Sequence, residues 1–428
     1  MSTIIVGAGL AGLALGAALR ARGADVTVLD GAERAGGVIR SERIDGLLIE
    51  HGPTSLRGAS IDAWAAIVRL GLGERVLQPT SDHRLRYVLQ NGKLVALPAG
   101  IAGLLTTPLL SLRGRIRLLC EPLVRGRPTA GESVFDLLAR RVGPEAADRL
   151  GTPFVGGIFG GDPRDVDAEA TFARLVGWER TAGSLVRGSM AGPKPPADAP
   201  KAPIAFHEGM EELTRALADR VTPTLGCRVL GVRRQGSGWR VTTSAGEMEA
   251  EHVAIATPSV GFLPEIADAQ GLPSAPIAAV HLAWRAGDVA PPAGFGWLCH
   301  PSETRDALGA IHVSTIFPSH APDRVLMRVM LGGTRSPGLP HASDDALVAH
   351  ARGVVAHFQG LTAEPTFAHV ARSLPGIPQY PPGFPRRLEA LRATGLHWLG
   401  WGWTGIGLPD QLVAADAVAD RIAPTYRA

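Results

Sequence analysis

The feature that most constrains this chain is Gly7-Ala8-Gly9-Leu10-Ala11-Gly12, set directly behind the apolar run Ile4-Ile5-Val6. Glycine turns are common, but this one has a context. It opens a helical pattern through Leu13, Ala17, Leu19 and Arg22, then a second apolar run, Asp25 to Leu29, which ends on Asp30. Residues 3–30 therefore read as one βαβ unit with a dinucleotide fingerprint. Gly7 permits the tight turn, Gly9 lets a pyrophosphate approach the backbone, and Gly12 lets the helix sit close to its strand. The free N–H groups and positive dipole end of the helix complete an anion site, and Asp30 would hold ribose hydroxyls. A glycine turn with no ligand would not need an acid at the end of the next strand.

The following residues separate nicotinamide from flavin. Arg34, Gly36, Gly37 and Val38 form a second glycine segment straight after the ribose acid, suited to closing over an extended diphosphate. Gly52, Pro53, Thr54 and Ser55 make another backbone-rich turn, suited to lining an isoalloxazine ring. At the far end, Gly400 to Asp410 leads into a helix expected from about Gln411 to Ile422, whose N-terminus near Ile406, Gly407 and Leu408 would favour charge on the reduced ring. The expected cofactor is FAD, held without a covalent bond, because the stretch 397–403 offers no cysteine.

Composition narrows the remaining classes. A length of 428 residues suits about two domains or one large fold with insertions. The 53 glycines and 34 prolines mark a turn-rich chain, while a hydrophobic fraction of 45% excludes a disordered one. A net charge of +3 without a basic block gives no case for nucleic acid. Cys120, Cys227 and Cys299 are too scattered for a disulfide framework or a zinc site, which points to a reducing, cytoplasmic setting. No secretory leader precedes Ile4, and the longest greasy region, 99–112, is too short to span a bilayer. No metal site is expected.

The expected fold class is α/β: a discontinuous Rossmann-like FAD-binding domain (1–60, 204–265 and 386–428), a mixed α+β substrate domain (266–385) and a helical insertion (61–190). The proline-rich stretch 191–203 reads as an exposed linker. Strands are expected at Arg228 to Val232, Trp239 to Thr243, Val253 to Ala256, Ala310 to Ile316 and Val325 to Leu331, with a helix from Met210 to Arg220. Within the insertion, 98–119 combines Ile101, Leu104, Leu105, Leu109 and Leu110 with Arg113, Arg115 and Arg117. That pattern fits a helix pair lying in a membrane interface, and equally one shielding an internal channel.

The three glycine segments, in this order, resemble those of FAD-dependent oxidases of the amine oxidase superfamily. Further segments resemble its protoporphyrinogen oxidase branch: Arg86-Tyr87-Val88 leading to Ala96-Leu97-Pro98, Gly156 to Pro163, Thr171 to Leu175 followed by Gly183-Ser184-Leu185, Phe317-Pro318, and Val329 to Gly333. The resemblance runs nearly end to end. It implies a porphyrinogen substrate, molecular oxygen as acceptor, and a place in haem biosynthesis. It adds a flavin contact at the Val229 backbone and substrate contacts at Arg86, Gly157, Leu298 and Phe317. A guanidinium fork suits the substrate's propionates, since it binds a carboxylate with two charge-assisted hydrogen bonds. It further implies peripheral contact with the inner face of a membrane via 98–119, and product handover to a ferrochelatase. Where relatives tend to have Ser-Gly inside the last helix, this chain has Ala414-Ala415.

No side chain is assigned as catalytic, because the flavin does the chemistry and the chain supplies orientation. Neither a Ser/His/Asp arrangement nor HExxH is found. Protoporphyrinogen and coproporphyrinogen both fit as substrates. An amine oxidase or desaturase is a second reading, weakened because Ile277 to Trp284 contains no lysine. A flavin-binding scaffold without catalysis is a third.

Overall fold

The structure is a computed structural model that describes residues 2–56, 61–98, 100–192, 197, 199–200, 203–258, 260–264, 266 and 271–423. Most of the expected linker, including Pro193 to Pro196, lies outside the described residues.

The opening βαβ unit forms as its pattern requires. Strand Ser2–Val6 and strand Asp25–Leu29 pair in parallel, joined by helix Leu10–Arg20. Distant segments complete this sheet. His252–Ile255 pairs with the other edge of the first strand, and His397–Trp398 pairs with His252–Ile255, both in parallel. A parallel sheet needs cover on both faces. Helix Leu10–Arg20 packs against helices Glu211–Val221 and Leu408–Ile422, and Leu13, Leu15, Leu217, Leu412, Val418 and Ala419 share one buried cluster. Ala415, 1% exposed, lies in that cluster, so the alanine pair sits where a small residue lets helices approach. On the opposite face, Ile4, Val6, Val253 and Ile255 pack with the three-stranded antiparallel sheet 229–250 and with Trp398 and Trp403.

A second sheet has seven strands, in the order Phe367–Pro378, Ser274–Arg285, Arg324–Gly332, Ala307–Ile311, Gly296–Cys299, Arg86–Gln90, Lys93–Ala96. One face carries Val280, Leu282, Met327, Val329 and Leu331 against helix Asp344–Gln359. The other turns toward the hairpin Ser41–Glu50, where Ala283 and Leu326 meet Leu47 and Ile49. The hairpin Arg86–Ala96 comes from the mostly helical stretch 61–190, yet it joins this sheet through a parallel pairing with Gly296–Cys299. The expected strand Ala310 to Ile316 stops at Ile311. His312 leaves the extended region, a short helix Val313–Ile316 follows, and Ser314 Oγ accepts the Leu326 N–H at 2.9 Å.

The remaining helices include Gly100–Thr106, Leu112–Leu119, Val134–Val142, Thr152–Phe159, Ala168–Ala182 and Leu185–Ala191. A buried charge network ties several of them together. Arg141 and Glu121, both fully buried, form an ion pair, and Glu121 also accepts from Ser184 Oγ and the Leu185 and Val186 N–H groups. Burial alone would push the Glu121 carboxyl up, but these hydrogen bonds outweigh it and hold the group below the usual range. Among the described residues, no helix is long and apolar enough to cross a membrane.

Candidate cofactor and substrate site

The glycine turn behind the first strand divides its labour as its residues require. Gly7 has φ +111°, and a Cβ there would press on the Ala256 carbonyl at 3.0 Å. At Gly12 a Cβ would stand 1.9 Å from the Gly7 oxygen, so helix and strand meet only because it is absent. Gly9 differs: φ is −76°, and a Cβ would meet nothing nearer than the Gly37 Cα at 4.0 Å. The open space at Gly9 is therefore a cradle, bounded by the second glycine segment. Ala8, Leu10 and Ala11 are buried, so they can offer a ligand only backbone.

Asp30 is half-buried, and its carboxylate accepts the Ala8 N–H at 2.7 Å and the Ala32 N–H at 2.9 Å. Each oxygen retains capacity for a hydroxyl donor. The segment after helix Glu211–Val221 runs beside this acid: Asp30 N–H donates to the Thr224 oxygen, and Cys227 N–H donates to the Asp30 oxygen. Val229, buried at the start of the next strand, follows two residues later.

In the second glycine segment Gly36 and Gly37 have φ +103° and +59°, and Gly36 N–H donates to the Ala8 oxygen at 2.8 Å. Arg34 is spent on this loop. Its guanidinium donates to the carbonyls of Ala35, Gly37 and Ile39 and pairs with Glu211 at 3.3 Å, so it shapes the segment. Val38 is exposed beside the Gly52 turn, where a Cβ on Gly52 would fall 2.1 Å from the Val38 oxygen. Pro53 and Ser55 are half-buried, whereas Thr54 is buried and accepts a hydrogen bond from Arg328.

The C-terminal glycine segment returns to the same place. A Cβ on Gly400 would meet the Ala11 Cβ at 3.2 Å, which sets the helix beginning at Leu408 beside the start of helix Leu10–Arg20. Gly407 is its N-cap, and no side chain caps the exposed N–H groups. Trp403 Nε1 donates to the Thr257 oxygen at 2.9 Å, and the Tyr380 hydroxyl donates to the Trp401 oxygen, pinning the segment from two sides. Residues from both ends of the chain thus converge on one groove whose polar lining is mostly backbone, with open space at Gly9. That donor set fits the diphosphate and ring of a flavin dinucleotide.

A second cluster holds most of the expected substrate contacts. Gly157 is exposed on helix Thr152–Phe159, and a Cβ there would stand 2.3 Å from Leu298 Cδ2. Leu298 belongs to the strand whose parallel neighbour begins with Arg86, in register Gly296 to Arg86. Arg86 is solvent-accessible, and its guanidinium lies over the Phe295 ring at 4.9 Å. Arg86, Leu298 and Gly157 are therefore brought together. Phe317 is not: it is fully buried in the cluster with Phe206 and Ile316, and its ring lies 5.3 Å from that of His320.

Sequence reasoning missed an aromatic cluster on the helices beside Gly157. Helix Ala168–Ala182 breaks its regular geometry at Phe172 (φ −126°, ψ 43°), which sets that ring 6.0 Å from Phe154 and 5.8 Å from Phe159. Phe172, Ile158 and Ile406 of the C-terminal segment all pack against one buried cluster. The signal available was the exposed, apolar Phe154 two residues before the paired glycines. A kink inside a helix carries no such signal.

Comparison with known proteins gives consistent results. Residues 10–423 match the model of the flavin containing amine oxidoreductase family. Protoporphyrinogen oxidase of Bos taurus is 30% identical over 475 residues, covering 99% of this chain and 98% of that protein. Protoporphyrinogen oxidase of Macaca fascicularis is 30% identical over 436 residues, covering 91% and 90%. A solved structure from Exiguobacterium sp. 255-15, provisionally named protoporphyrinogen oxidase, superposes with TM-score 0.83 at 23% identity, covering 99% of this chain and 98% of that one. Putrescine oxidase bound to putrescine superposes at 0.70 with 17% identity, covering 99% and 100%. At these identities the two structures speak to fold alone.

Proposed function

The chain belongs to the flavin containing amine oxidoreductase family, and from that premise we propose that it oxidises a porphyrinogen to a porphyrin, protoporphyrinogen IX before coproporphyrinogen III, with molecular oxygen as acceptor. It is an FAD-dependent oxidoreductase. The observation that carries the substrate reading is the cluster of Gly157, Leu298 and Arg86. Gly157 is exposed and packs its bare Cα against Leu298, and Arg86 is exposed with its guanidinium over Phe295. A glycine at the surface lets a flat macrocycle approach the backbone, and the fork of Arg86 suits its propionate tails. Amine oxidation has less support, because the strand Ser274–Arg285 contains no lysine.

Bound FAD supplies a two-electron acceptor that is cycled until the six hydrogens of the substrate are removed. The chain's own contribution is placement. Gly9, Gly37 and the N-terminus of helix Leu10–Arg20 would hold the pyrophosphate, and Asp30 the ribose. Gly52 to Ser55 and Ile406 to Leu408 would flank the ring. Val229 would reach the adenosine end through its backbone, and Arg34 would act indirectly, by shaping the loop. Phe154, Phe172 and Leu298 would supply apolar surface that excludes water from the reacting carbon. Arg86 orients the tails. Phe317, buried behind, would support that surface without touching substrate.

We further propose that the helical segment 98–119 faces a membrane, in a protein that works in the cytoplasm and hands its product to a ferrochelatase. Leu105, Leu112 and Ile116 are exposed there, with Arg113 on the same short helix as Leu112 and Ile116. The substrate reading is tested by steady-state kinetics on protoporphyrinogen. Arg86→Ala is expected to raise KM at least tenfold with flavin content unchanged, and Arg86→Lys to recover part of that loss. An unaltered KM in Arg86→Ala would remove the propionate contact.

A further inference from the structure

Strand Arg324–Gly332 alternates. Val325, Met327, Val329 and Leu331 face helix Asp344–Gln359, and Leu326 faces the hairpin Ser41–Glu50. Arg328 shares the face of Leu326 and is only 5% exposed. An arginine in such a run is costly to bury unless its charge is answered, because taking a cation out of water costs several kcal/mol. The answer here is incomplete. Nη1 donates to Thr54 Oγ1, while Nε has no partner. Glu50 acts on Arg328 through space, yet its oxygens are committed to Ser41 Oγ at 2.8 Å and the Met210 N–H at 2.7 Å.

The surrounding groups leave this charge standing. His281, 1% exposed, pairs in register with Arg328 on one side and with His369 on the other, and the His51 ring lies 5.4 Å from that of His369. Burial and then the Arg328 charge hold His281 well below its usual pKa, so it stays neutral. Burial lowers the Arg328 guanidinium to about 10, still protonated at neutral pH. The group it grips is Thr54, in the turn Gly52 to Ser55 that abuts Val38 in the cofactor groove.

We propose that Arg328 is a positioning residue for the flavin: it ties the Gly52 to Ser55 turn to the seven-stranded sheet through Thr54, and its buried positive charge behind that turn stabilises the anionic reduced ring. This rests on the reading that the turn lines the ring. A fixed cation near a group that gains negative charge favours the charged form, and the low-dielectric surroundings strengthen the effect.

The test uses holoenzyme and reads the two-electron midpoint potential of the bound flavin, with flavin content measured in parallel. Arg328→Met, which keeps an unbranched apolar stem without the charge, and Arg328→Gln are each expected to lower the ratio of reduced to oxidised flavin at a given potential by tenfold or more. That is a fall of about 30 mV. A folded variant of either kind with the wild-type potential would overturn the electrostatic role. Thr54→Val cuts the tether but keeps the charge, so flavin should dissociate several-fold faster with a smaller change in potential. An unchanged dissociation rate in that variant would overturn the tether. Wild-type protein that binds no flavin at all would contradict the cofactor reading itself, a result distinct from either of these.

Discussion

Two glycines in one turn do different work, and the difference can be measured. At Gly12 a Cβ would collide with the Gly7 oxygen, whereas at Gly9 it would enter open space with an ordinary φ. Gly12→Ala should therefore destabilise the flavin-free protein by about 1–3 kcal/mol, the usual cost of overpacking, read by denaturant unfolding. Gly9→Ala should leave that stability unchanged and lower flavin occupancy at least tenfold. Equal loss of stability in both would show that Gly9 is structural. Glu50 offers a second test. Burial raises its pKa from 4.5 to about 7, against the lowering effect of its hydrogen bonds and of Arg328. Between those values the native state binds a proton that the unfolded state has released, so stability falls as pH rises through that window. Glu50→Gln should flatten this slope in unfolding curves taken from pH 4.5 to 7; a slope identical to the wild type would refute the shift. The glycine spacing and Asp30 were legible in the sequence because each answers a local demand. Arg34 was legible as a residue but not in its use, since its carbonyl partners appear only when the loop closes.

At the scale of elements, periodicity located most of the strands and helices named from it to within a few residues. It failed where a single side chain decides. Ser314 captures the Leu326 N–H and turns an expected strand into a short helix after Ile311. Helix Ala168–Ala182 breaks at Phe172, and the pairing of Arg86–Gln90 with Gly296–Cys299 joins segments about two hundred residues apart, a contact that no local pattern encodes. The surface helices yield a prediction that the sequence alone would have aimed badly. Leu109 is fully buried, and a charge there would damage the core. Leu112 and Ile116, exposed on helix Leu112–Leu119, are the positions to alter. Wild-type protein should co-sediment with anionic vesicles more strongly than Leu112→Glu/Ile116→Glu, and equal sedimentation would leave this face without a membrane role.

For the whole molecule, the decisive event is the meeting of its ends. The groove needs the turn at Gly7 to Gly12, the loop at Arg34 to Val38 and the segment Gly400 to Leu408, and the sheet that aligns them draws strands from residues 2–6, 25–29, 252–255 and 397–398. The three glycine segments could be read one by one, and their order pointed to a flavin. Their shared location, and the meeting of Gly157 with Leu298, exist only in the folded chain. The central claim is that the surface at Gly157 and Arg86 presents a porphyrinogen to the flavin held in that groove. Anaerobic stopped-flow mixing of the purified yellow protein with protoporphyrinogen IX tests it in one experiment: the flavin absorbance should bleach within the time of a turnover, then recover with the rise of porphyrin fluorescence when oxygen is admitted. Flavin bands that persist unchanged through saturating substrate would contradict it.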